Sequence, residues 1–224
     1  MTHPLDRPVW SALQTRQAHY AQGGGMALRF LADVSPFAVG RDGSREAAEA
    51  LAGLIAPGDD VSLAEVAPPE APAGVSATRK LCLQMVWEKL APDSAAFDII
   101  PLGEADAAEM LALALLTKPG PFRARTHTMG RFVGVRDGGR LIAMAGERMH
   151  MNGYREISAV CTHPDFRGRG LGAALMRTVG ARMMQEGDQP FLHTYADNAG
   201  AVALYRKLGF VVRAEIIHAV WRRD

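Results

Sequence analysis

A glycine-rich loop between a predicted strand and a predicted helix carries the strongest chemical signal in the sequence. The loop is Arg167-Gly168-Arg169-Gly170-Leu171-Gly172-Ala173. Closely spaced glycines let a backbone approach a ligand and adopt positive φ angles. At a helix N-terminus, free N–H groups and the helix dipole favour an anion such as phosphate, and the two arginines add forked donors suited to the same group. The loop therefore predicts a phosphate site; the plainer alternative is a glycine turn flanked by two solvated arginines.

Two nucleotide-binding motifs compete for this loop. Gly168, Gly170 and Ala173 fit the dinucleotide fingerprint, and Glu186 lies near the distance expected of its ribose acid. That fingerprint needs its turn directly after the strand, whereas six residues, 162–167, separate the predicted strand from the first glycine. The preceding strands also alternate as antiparallel hairpins, which a doubly wound parallel sheet does not contain. A Walker loop is excluded because no Lys-Ser/Thr pair follows the glycines.

Three stretches together resemble the GNAT superfamily of acyl-CoA N-acyltransferases. Arg167-x-x-Gly170-x-Gly172 is similar to that family's pyrophosphate loop, and Val160-Cys161-Thr162-His163-Pro164 resembles the end of its fourth strand. The segment from Asn198 to Phe210 resembles the family's N-x-x-A-x-x-L-Y-x-x-x-G-F motif. The resemblance covers residues 98–224 and implies an α/β fold with a mixed, mostly antiparallel sheet flanked by helices. It also implies an N-acetyltransferase that uses acetyl-CoA as co-substrate and moves the acetyl group to a primary amine.

Within the family, the sequence around Glu147 and residues 156–164 is closest to the branch that includes glycine N-acyltransferase-like proteins. Those proteins carry a degenerate GNAT-like half ahead of the working one. We therefore predict two units, a GNAT acyltransferase domain at 98–224 and a smaller N-terminal α/β domain at 1–97 that resembles such a half. The linker is expected at Ala91-Pro92-Asp93-Ser94. Inside the first unit, Asp6 is expected to cap a helix that runs to about Gln22.

The resemblance assigns roles residue by residue. Tyr205 takes the position of the general acid that protonates the leaving thiolate, although packing on the sheet is the alternative. Glu156 takes the position of the base for the amine; Glu147, in an apolar run where burial would raise its pKa, is the competing base. Donor binding is expected at the pyrophosphate loop, the strand end and the last helix, with the residues Val160, Cys161, Thr162, Arg167, Gly168, Arg169, Gly170, Leu171, Gly172, Ala173 and Asn198.

Each of three further side chains has more than one interpretation. Asn198 can bond pantetheine, cap the helix, or do both. Cys161 invites a covalent acyl-enzyme, but a strand cysteine without an obvious base is more often a small core residue. His193 is either structural or part of the acceptor site. His127, His150 and His163 share no ligand spacing, so no metal site is expected.

Composition limits the partners. The 224 residues include 25 Lys and Arg against 24 Asp and Glu, so no overall charge favours nucleic acid or an anionic membrane. No stretch reaches the roughly 18 apolar residues of a membrane span, and the N-terminus does not resemble a signal peptide. Two cysteines fit a reducing cytoplasm, and the richness in Ala, Gly and Arg suggests a bacterial source. The expected acceptor is an amine of a small molecule, amino acid or peptide; a homodimer is left open, and a non-catalytic acyl-CoA sensor is the alternative function.

Overall fold

One eight-stranded sheet forms the centre of the protein in a computed structural model that describes residues 3–89 and 97–223. The strands of the chain are β1 (Ala21–Gly24), β2 (Ala27–Phe30), β3 (Ala38–Gly40), β4 (Asp60–Glu65), β5 (Val75–Trp87), β6 (Ile100–Leu102), β7 (Phe132–Asp137), β8 (Arg140–Met151), β9 (Tyr154–Thr162), β10 (Gln189–Tyr195) and β11 (Phe210–Arg223). The large sheet has the order β4-β11-β5-β10-β9-β8-β7-β6, and β1-β2-β3 form a small separate sheet. Within the large sheet, β9 and β10 pair in parallel and the other neighbours pair antiparallel. The predicted mixed, mostly antiparallel α/β architecture is confirmed.

Five α-helices flank this sheet in the described residues: α1 (Pro8–Leu13), α2 (Arg45–Gly53), α3 (Ala107–Thr117), α4 (Leu171–Gln185) and α5 (Ala199–Leu208). Local sequence accounts for their ends. The Ser44 hydroxyl accepts a hydrogen bond from the Ala47 N–H and so caps α2. Lys118 adopts a left-handed conformation with a φ of 51° and ends α3 just before Pro119.

Two apolar layers lie on opposite faces of the large sheet. On one face, α4 and α5 bury Leu175, Val179 and Leu208 against Trp87 and Phe210. On the other face, residues from the N-terminal segment, including Leu5, Val9 and Phe37, pack against Met149 and Phe191. Burial of this apolar surface is the main force that holds both layers on the sheet.

The parallel pair β9 and β10 opens the sheet. Their pairing joins Gln189 to Tyr154, Pro190 to Arg155 and Phe191 to Glu156, and the two strands are not paired beyond these residues. Beyond that point β10 continues to Tyr195 against β5, while β9 continues to Thr162 against β8. The two strands therefore leave a gap whose edges carry unpaired backbone groups, and such groups need a partner.

The N-terminal helix is shorter than predicted. The helix α1 ends at Leu13, and Ala21–Gly24 is a strand that pairs with β2 through a glycine turn. The side chain of Gln17 is drawn into the core, where its amide nitrogen donates to the carbonyls of Arg148 and Met129 at 2.7 and 3.2 Å. These tertiary bonds outweigh helix propensity, which is a weak preference.

The predicted division at residue 97 stays a prediction. In the structure, β4 and β5 precede that boundary and pair with β11 and β10, which follow it. The predicted linker at 91–94 lies outside the described residues.

Candidate functional site

A cavity of about 690 Å³ fills the gap between β9 and β10. The ends of both strands, the first turn of α4 and one side of α5 form its walls, together with residues of β5, β8 and β11. Several predicted site residues line it, namely Val160, Cys161, Thr162, Arg167, Gly172, Asn198 and Tyr205. Arg148 and His193 also line it, while Glu147 and Glu156 do not. The cavity therefore joins most of the predicted donor-binding residues in one place.

The first turn of α4 is open to a ligand. Gly170 is its N-cap residue with a φ of 86°, and no side chain caps the helix. A Cβ added at Gly168 or Gly170 would meet no heavy atom within 4 Å, and one at Gly172 would meet only the Val160 side chain at 3.7 Å. The start of this 15-residue helix therefore has no side-chain cap and has open space beside its glycines, as anion binding at its first N–H groups requires. The loop geometry fits the pyrophosphate that the sequence predicted.

The two loop arginines differ in their surroundings. Arg167 lines the cavity, and its Nε donates to the Thr162 carbonyl at 3.4 Å. Arg169 instead places its guanidinium over the ring of Phe166, 4.8 Å from the ring centroid. Both side chains belong to exposed residues, so either can reach a phosphate, but Arg167 alone of the two already faces the cavity.

A bulge in β9 shapes the pantetheine edge. The register against β8 shifts between Met144, which faces Cys161, and Gly146, which faces Ser158. Within this bulge Ala159 has a φ of 52°, a left-handed conformation that costs a non-glycine residue about 1 kcal/mol or more. Such bulges redirect backbone groups, and here they turn residues 158–162 toward the cavity.

Tyr205 lies on α5 with its ring packed against Phe210, at 6.1 Å between ring centroids. Burial raises the pKa of its hydroxyl, so the group stays protonated. Its hydroxyl takes part in none of the hydrogen bonds among the described residues, and the residue lines the cavity. A protonated, uncommitted donor is what protonation of a thiolate requires.

Glu156 is completely buried behind the cavity, at 0% exposure. One carboxylate oxygen accepts from Arg148 Nε at 2.8 Å, and the other lies 2.8 Å from His193 Nδ1. Burial by itself would raise the pKa of this carboxyl, but the charge and hydrogen bonds of Arg148, with a smaller contribution from His193, lower it to about 2. Glu156 therefore stays ionised and reaches the cavity only through its two partners.

His193 carries a defined tautomer because Gln84 fixes it. Arg213 donates to Gln84 Oε1 at 2.8 Å, so the Gln84 nitrogen is the atom that faces Leu5 O at 2.8 Å and His193 Nε2 at 3.1 Å. That nitrogen donates, so His193 Nε2 accepts and Nδ1 carries the hydrogen donated to Glu156.

Glu147 lies on the opposite face of the sheet, beneath α4. Its carboxylate oxygens accept from Arg182 at 2.8 Å and Arg155 at 3.3 Å, and Arg131 Nε lies 3.6 Å away. Arg155 in turn donates to Glu186 at 2.8 Å. The carboxylate is thus the centre of a buried ion cluster that packs α4 onto the sheet.

Asn198 and Cys161 take structural positions. The Asn198 side chain accepts from the Ala201 N–H at 3.2 Å and so caps α5, while the residue also lines the cavity. Burial raises the pKa of the Cys161 thiol to about 11, and a thiol is a poor nucleophile when so few molecules are ionised. The geometry therefore favours the core interpretation of Cys161 over a covalent acyl-enzyme.

Sequence reasoning missed the far end of the cavity. Arg148, His218 and Phe37 line it there, and Cys82 and Ala64 lie beside them. His218 Nδ1 lies 3.1 Å from the Tyr195 hydroxyl, and its Nε2 is buried without a hydrogen-bond partner in the described part of the chain. Burial, followed by neighbouring positive charge of which Arg148 is the largest source, lowers the pKa of His218 to about 4. In the sequence these residues appear only as polar side chains at alternate positions on strands. That pattern does not by itself distinguish a binding site from a strand face that is exposed to solvent.

Across residues 3–89 and 97–223, no group of three His, Cys, Asp or Glu side chains is placed to hold a metal ion. In the same ranges, no helix has the length and apolar character needed to cross a bilayer.

Three comparisons with known proteins relate this site to others. Residues 132–221 match the family model described as FR47-like protein. The crystal structure of a protein from Novosphingobium aromaticivorans DSM 12444, described as an acetyltransferase of the GNAT family, has a TM-score of 0.93 and 41% sequence identity, with 100% of each chain covered. A GCN5-related N-acetyltransferase from Kribbella flavida, at 19% identity with a TM-score of 0.61 over 96% of this chain and 93% of that one, shares the fold.

Curated relatives are named mycothiol acetyltransferase. The one from Streptomyces avermitilis is 30% identical over 92% of this chain, and the one from Corynebacterium aurimucosum is 39% identical over 32% of it. The chain covers 62% of the first protein's length and 23% of the second's. It is therefore substantially shorter than the mycothiol acetyltransferases it resembles.

Proposed function

The chain belongs to the GNAT family of acetyltransferases, and from this premise we propose that it transfers an acetyl group from acetyl-CoA directly to a primary amine. The observation that carries this proposal is a single cavity that joins the open first turn of α4, the bulged edge of β9 and the Tyr205 hydroxyl. The curated relatives named mycothiol acetyltransferase support a small-molecule acceptor. An amino acid or a peptide amine fits the same cavity.

Acetyl-CoA supplies the thioester, and the protein holds it along one wall of the cavity in this proposal. The N–H groups of residues 168–173 bind the pyrophosphate, with Arg167 and Arg169 as further donors. Backbone groups of Val160, Cys161 and Thr162 pair with the pantetheine arm, and the Asn198 amide lies beside it. Hydrogen bonds to the thioester carbonyl from this edge stabilise charge that develops on its oxygen.

Two proton transfers complete the reaction. The C–N bond forms as the C–S bond breaks, so the amine loses one proton and the sulfur gains one. Tyr205 donates to the sulfur. The proton of the amine passes to His193 Nε2, where it replaces the hydrogen bond from Gln84, and Glu156 stabilises the resulting imidazolium at Nδ1. Glu147 is the weaker candidate, because three arginines hold it on the opposite face of the sheet.

Residues 1–97 shape the acceptor end in this proposal and bind no donor of their own. Phe37, Ala64 and Cys82 from this segment line the cavity opposite the glycine loop. Membership of the glycine N-acyltransferase-like branch stays a prediction. So do a vestigial origin of residues 1–97, a cytoplasmic location and a homodimer.

An acceptor screen tests the proposal. Purified protein is mixed with acetyl-CoA and single amines, and release of the CoA thiol is followed together with the mass of the product. We expect release with at least one amine class and its loss in Tyr205→Phe. Calorimetric binding of acetyl-CoA without transfer to any amine would contradict the enzyme and favour the acyl-CoA sensor. Failure to bind acetyl-CoA would contradict both.

A further inference from the structure

The acceptor end of the cavity carries positive charge without an acidic partner on its surface. Arg148, Lys118 and Arg167 are among the residues that line the cavity, and within the described ranges no aspartate or glutamate lines it. Arg167 lies at the glycine loop, where the pyrophosphate accounts for it. Arg148 and Lys118 lie away from that loop, and the donor does not account for them.

Arg148 is a fixed donor with one nitrogen left over. The residue is 7% exposed, its Nε and Nη2 donate to Glu156, and the Phe37 ring lies 4.7 Å below the guanidinium carbon. The third nitrogen, Nη1, takes part in none of the hydrogen bonds among the described residues. It points toward Gly120 on the cavity wall, where an added Cβ would lie 3.9 Å from it. Glu156 and Phe37 therefore hold the side chain, while the Nη1 group faces the cavity wall.

A second, smaller cavity adjoins the acceptor end of the first one. It has a volume of about 360 Å³ and shares Lys118, Gly120, Pro121 and His218 with the first. The buried His218 Nε2 has no hydrogen-bond partner within the described residues, so a polar ligand atom at this point would satisfy it. The two cavities therefore adjoin along a shared wall, and both Asp60 and Arg123 line the smaller one.

We propose that the acceptor is an amine that also carries a carboxylate, and that Arg148 Nη1 binds this carboxylate. The inference rests on the proposed acetyl transfer and specifies its acceptor class. Arginine is suited to a carboxylate because its N–H groups are fixed in direction and always charged. Glu156 is already saturated behind Arg148 and does not compete for Nη1.

The positive charge of this wall disfavours a polyamine as the acceptor. A polyamine brings further positive charge to a wall that offers it no carboxylate, and like charges in a partly buried place repel strongly.

Matched sets of amines test the proposal with the wild-type protein. Each set contains an amino acid, its carboxamide and the amine without the carboxylate: glycine, glycinamide and methylamine; phenylalanine, phenylalaninamide and phenethylamine; serine, serinamide and ethanolamine. Spermidine represents the polyamines. Because a hydrogen bond to a charged group contributes about 1.5–3 kcal/mol, we expect kcat/KM for the amino acid of the preferred set to exceed that of both analogues by roughly ten- to a hundredfold. Equal or faster acetylation of the amide, the simple amine or spermidine would overturn the proposal.

A variant locates the selectivity. Arg148→Lys retains a positive charge beside Glu156 but removes Nη1, so we expect KM to rise for the amino acid more than for its amide, and their ratio to collapse. The control is Arg125→Lys, whose parent side chain is half-exposed and paired with Asp33, and which should leave the ratio unchanged. If Arg148→Lys lowers kcat/KM equally for all members of a set, Arg148 has a structural role, and the proposal that it binds the acceptor carboxylate is overturned. Thiol release with no member of any set would instead contradict the acetyl transfer to an amine itself.

Discussion

Glu147 and Glu156 are both buried carboxylates on neighbouring strands, yet they belong to different parts of the molecule. Each follows or precedes an arginine in sequence, as Glu147-Arg148 on β8 and Arg155-Glu156 on β9. In the structure, Glu147 pairs with Arg155 on the face beneath α4, and Glu156 pairs with Arg148 on the face beside the cavity. Two similar sequence patterns therefore produce one ion pair on each side of the sheet.

Strand alternation explains this difference. Glu147 stands opposite Ile157 in the register, so these two side chains share a face, and the neighbouring Glu156 points to the other. The surroundings then decide the chemistry. Glu147 meets three arginines and serves packing, whereas Glu156 meets Arg148 and His193, both of which line the cavity. Burial alone does not distinguish these two carboxylates; the side of the sheet on which each lies decides whether its partners line the cavity.

Substitution of each carboxylate by its amide gives the largest expected contrast. We expect Glu156→Gln to lower kcat by roughly 10²–10⁴-fold, because the imidazolium of His193 loses its counter-charge. We expect little change in kcat for Glu147→Gln, which is the matched control. Turnover at saturating acetyl-CoA and amine measures both, with circular dichroism as the check of folding. The reverse result would make Glu147 the base.

Partial recovery at alkaline pH would sharpen the assignment. The Glu156→Gln defect should be greatest near neutral pH and smaller at high pH, where more of the amine is already deprotonated. A defect that is constant across the accessible pH range would indicate that Glu156 only positions Arg148.

Tyr205 tests the donor side of the cavity. Tyr205→Phe removes one hydroxyl and keeps the ring packed on Phe210, so the fold should persist. We expect kcat to fall by roughly ten- to a thousandfold with little change in acetyl-CoA affinity, because the lost interaction acts mainly in the transition state. Calorimetry and initial rates on one preparation separate the two effects. An unchanged kcat would remove Tyr205 from the mechanism.

Two glycines of α4 also differ in their surroundings, because one lies beside the expected ligand and the other is packed against the core. Gly172 has open space beyond the Val160 side chain, whereas a Cβ on Gly180 would lie 1.7 Å from the Trp87 ring. We therefore expect Gly172→Val to weaken acetyl-CoA binding in a folded protein, and Gly180→Ala to lower the melting temperature. Gly53→Val, at a helix position with nothing within 4 Å, is the control for a β-branched residue in a helix. Unchanged acetyl-CoA affinity in folded Gly172→Val would contradict the pyrophosphate site.

The smallest expected effect is on acid stability. The folded-state pKa of Glu156 is lowered to about 2 from an ordinary value of 4.5, so its ionic contribution is complete above pH 4.5 and is lost as the pH falls toward 2. Urea denaturation should therefore show a stability difference between wild type and Glu156→Gln that is largest at neutral pH and narrows at pH 3. A difference that is the same at both pH values would contradict the lowered pKa.

Several features of the protein are determined by local sequence. The glycine turns, the Ser44 cap and the alternation of β8 and β9 depend on neighbours a few residues away, and for that reason local sequence can indicate them. The glycine loop was identifiable because anion binding at a helix start needs only the helix and a loop without side chains. The order of three motifs then indicated the family.

Tertiary structure decided the rest. The helix predicted to reach Gln22 ends early because the Gln17 side chain bonds backbone carbonyls more than 110 residues away, at Met129 and Arg148. Register between strands decides which of the two glutamates lies on the cavity side of the sheet. The acceptor end of the cavity exists because β5, β8, β10 and β11 meet there. Arg148 and His218 are ordinary strand residues in sequence. The roles proposed for them depend on long-range pairing, which brings both residues to one wall and leaves His218 Nε2 buried without a partner among the described residues.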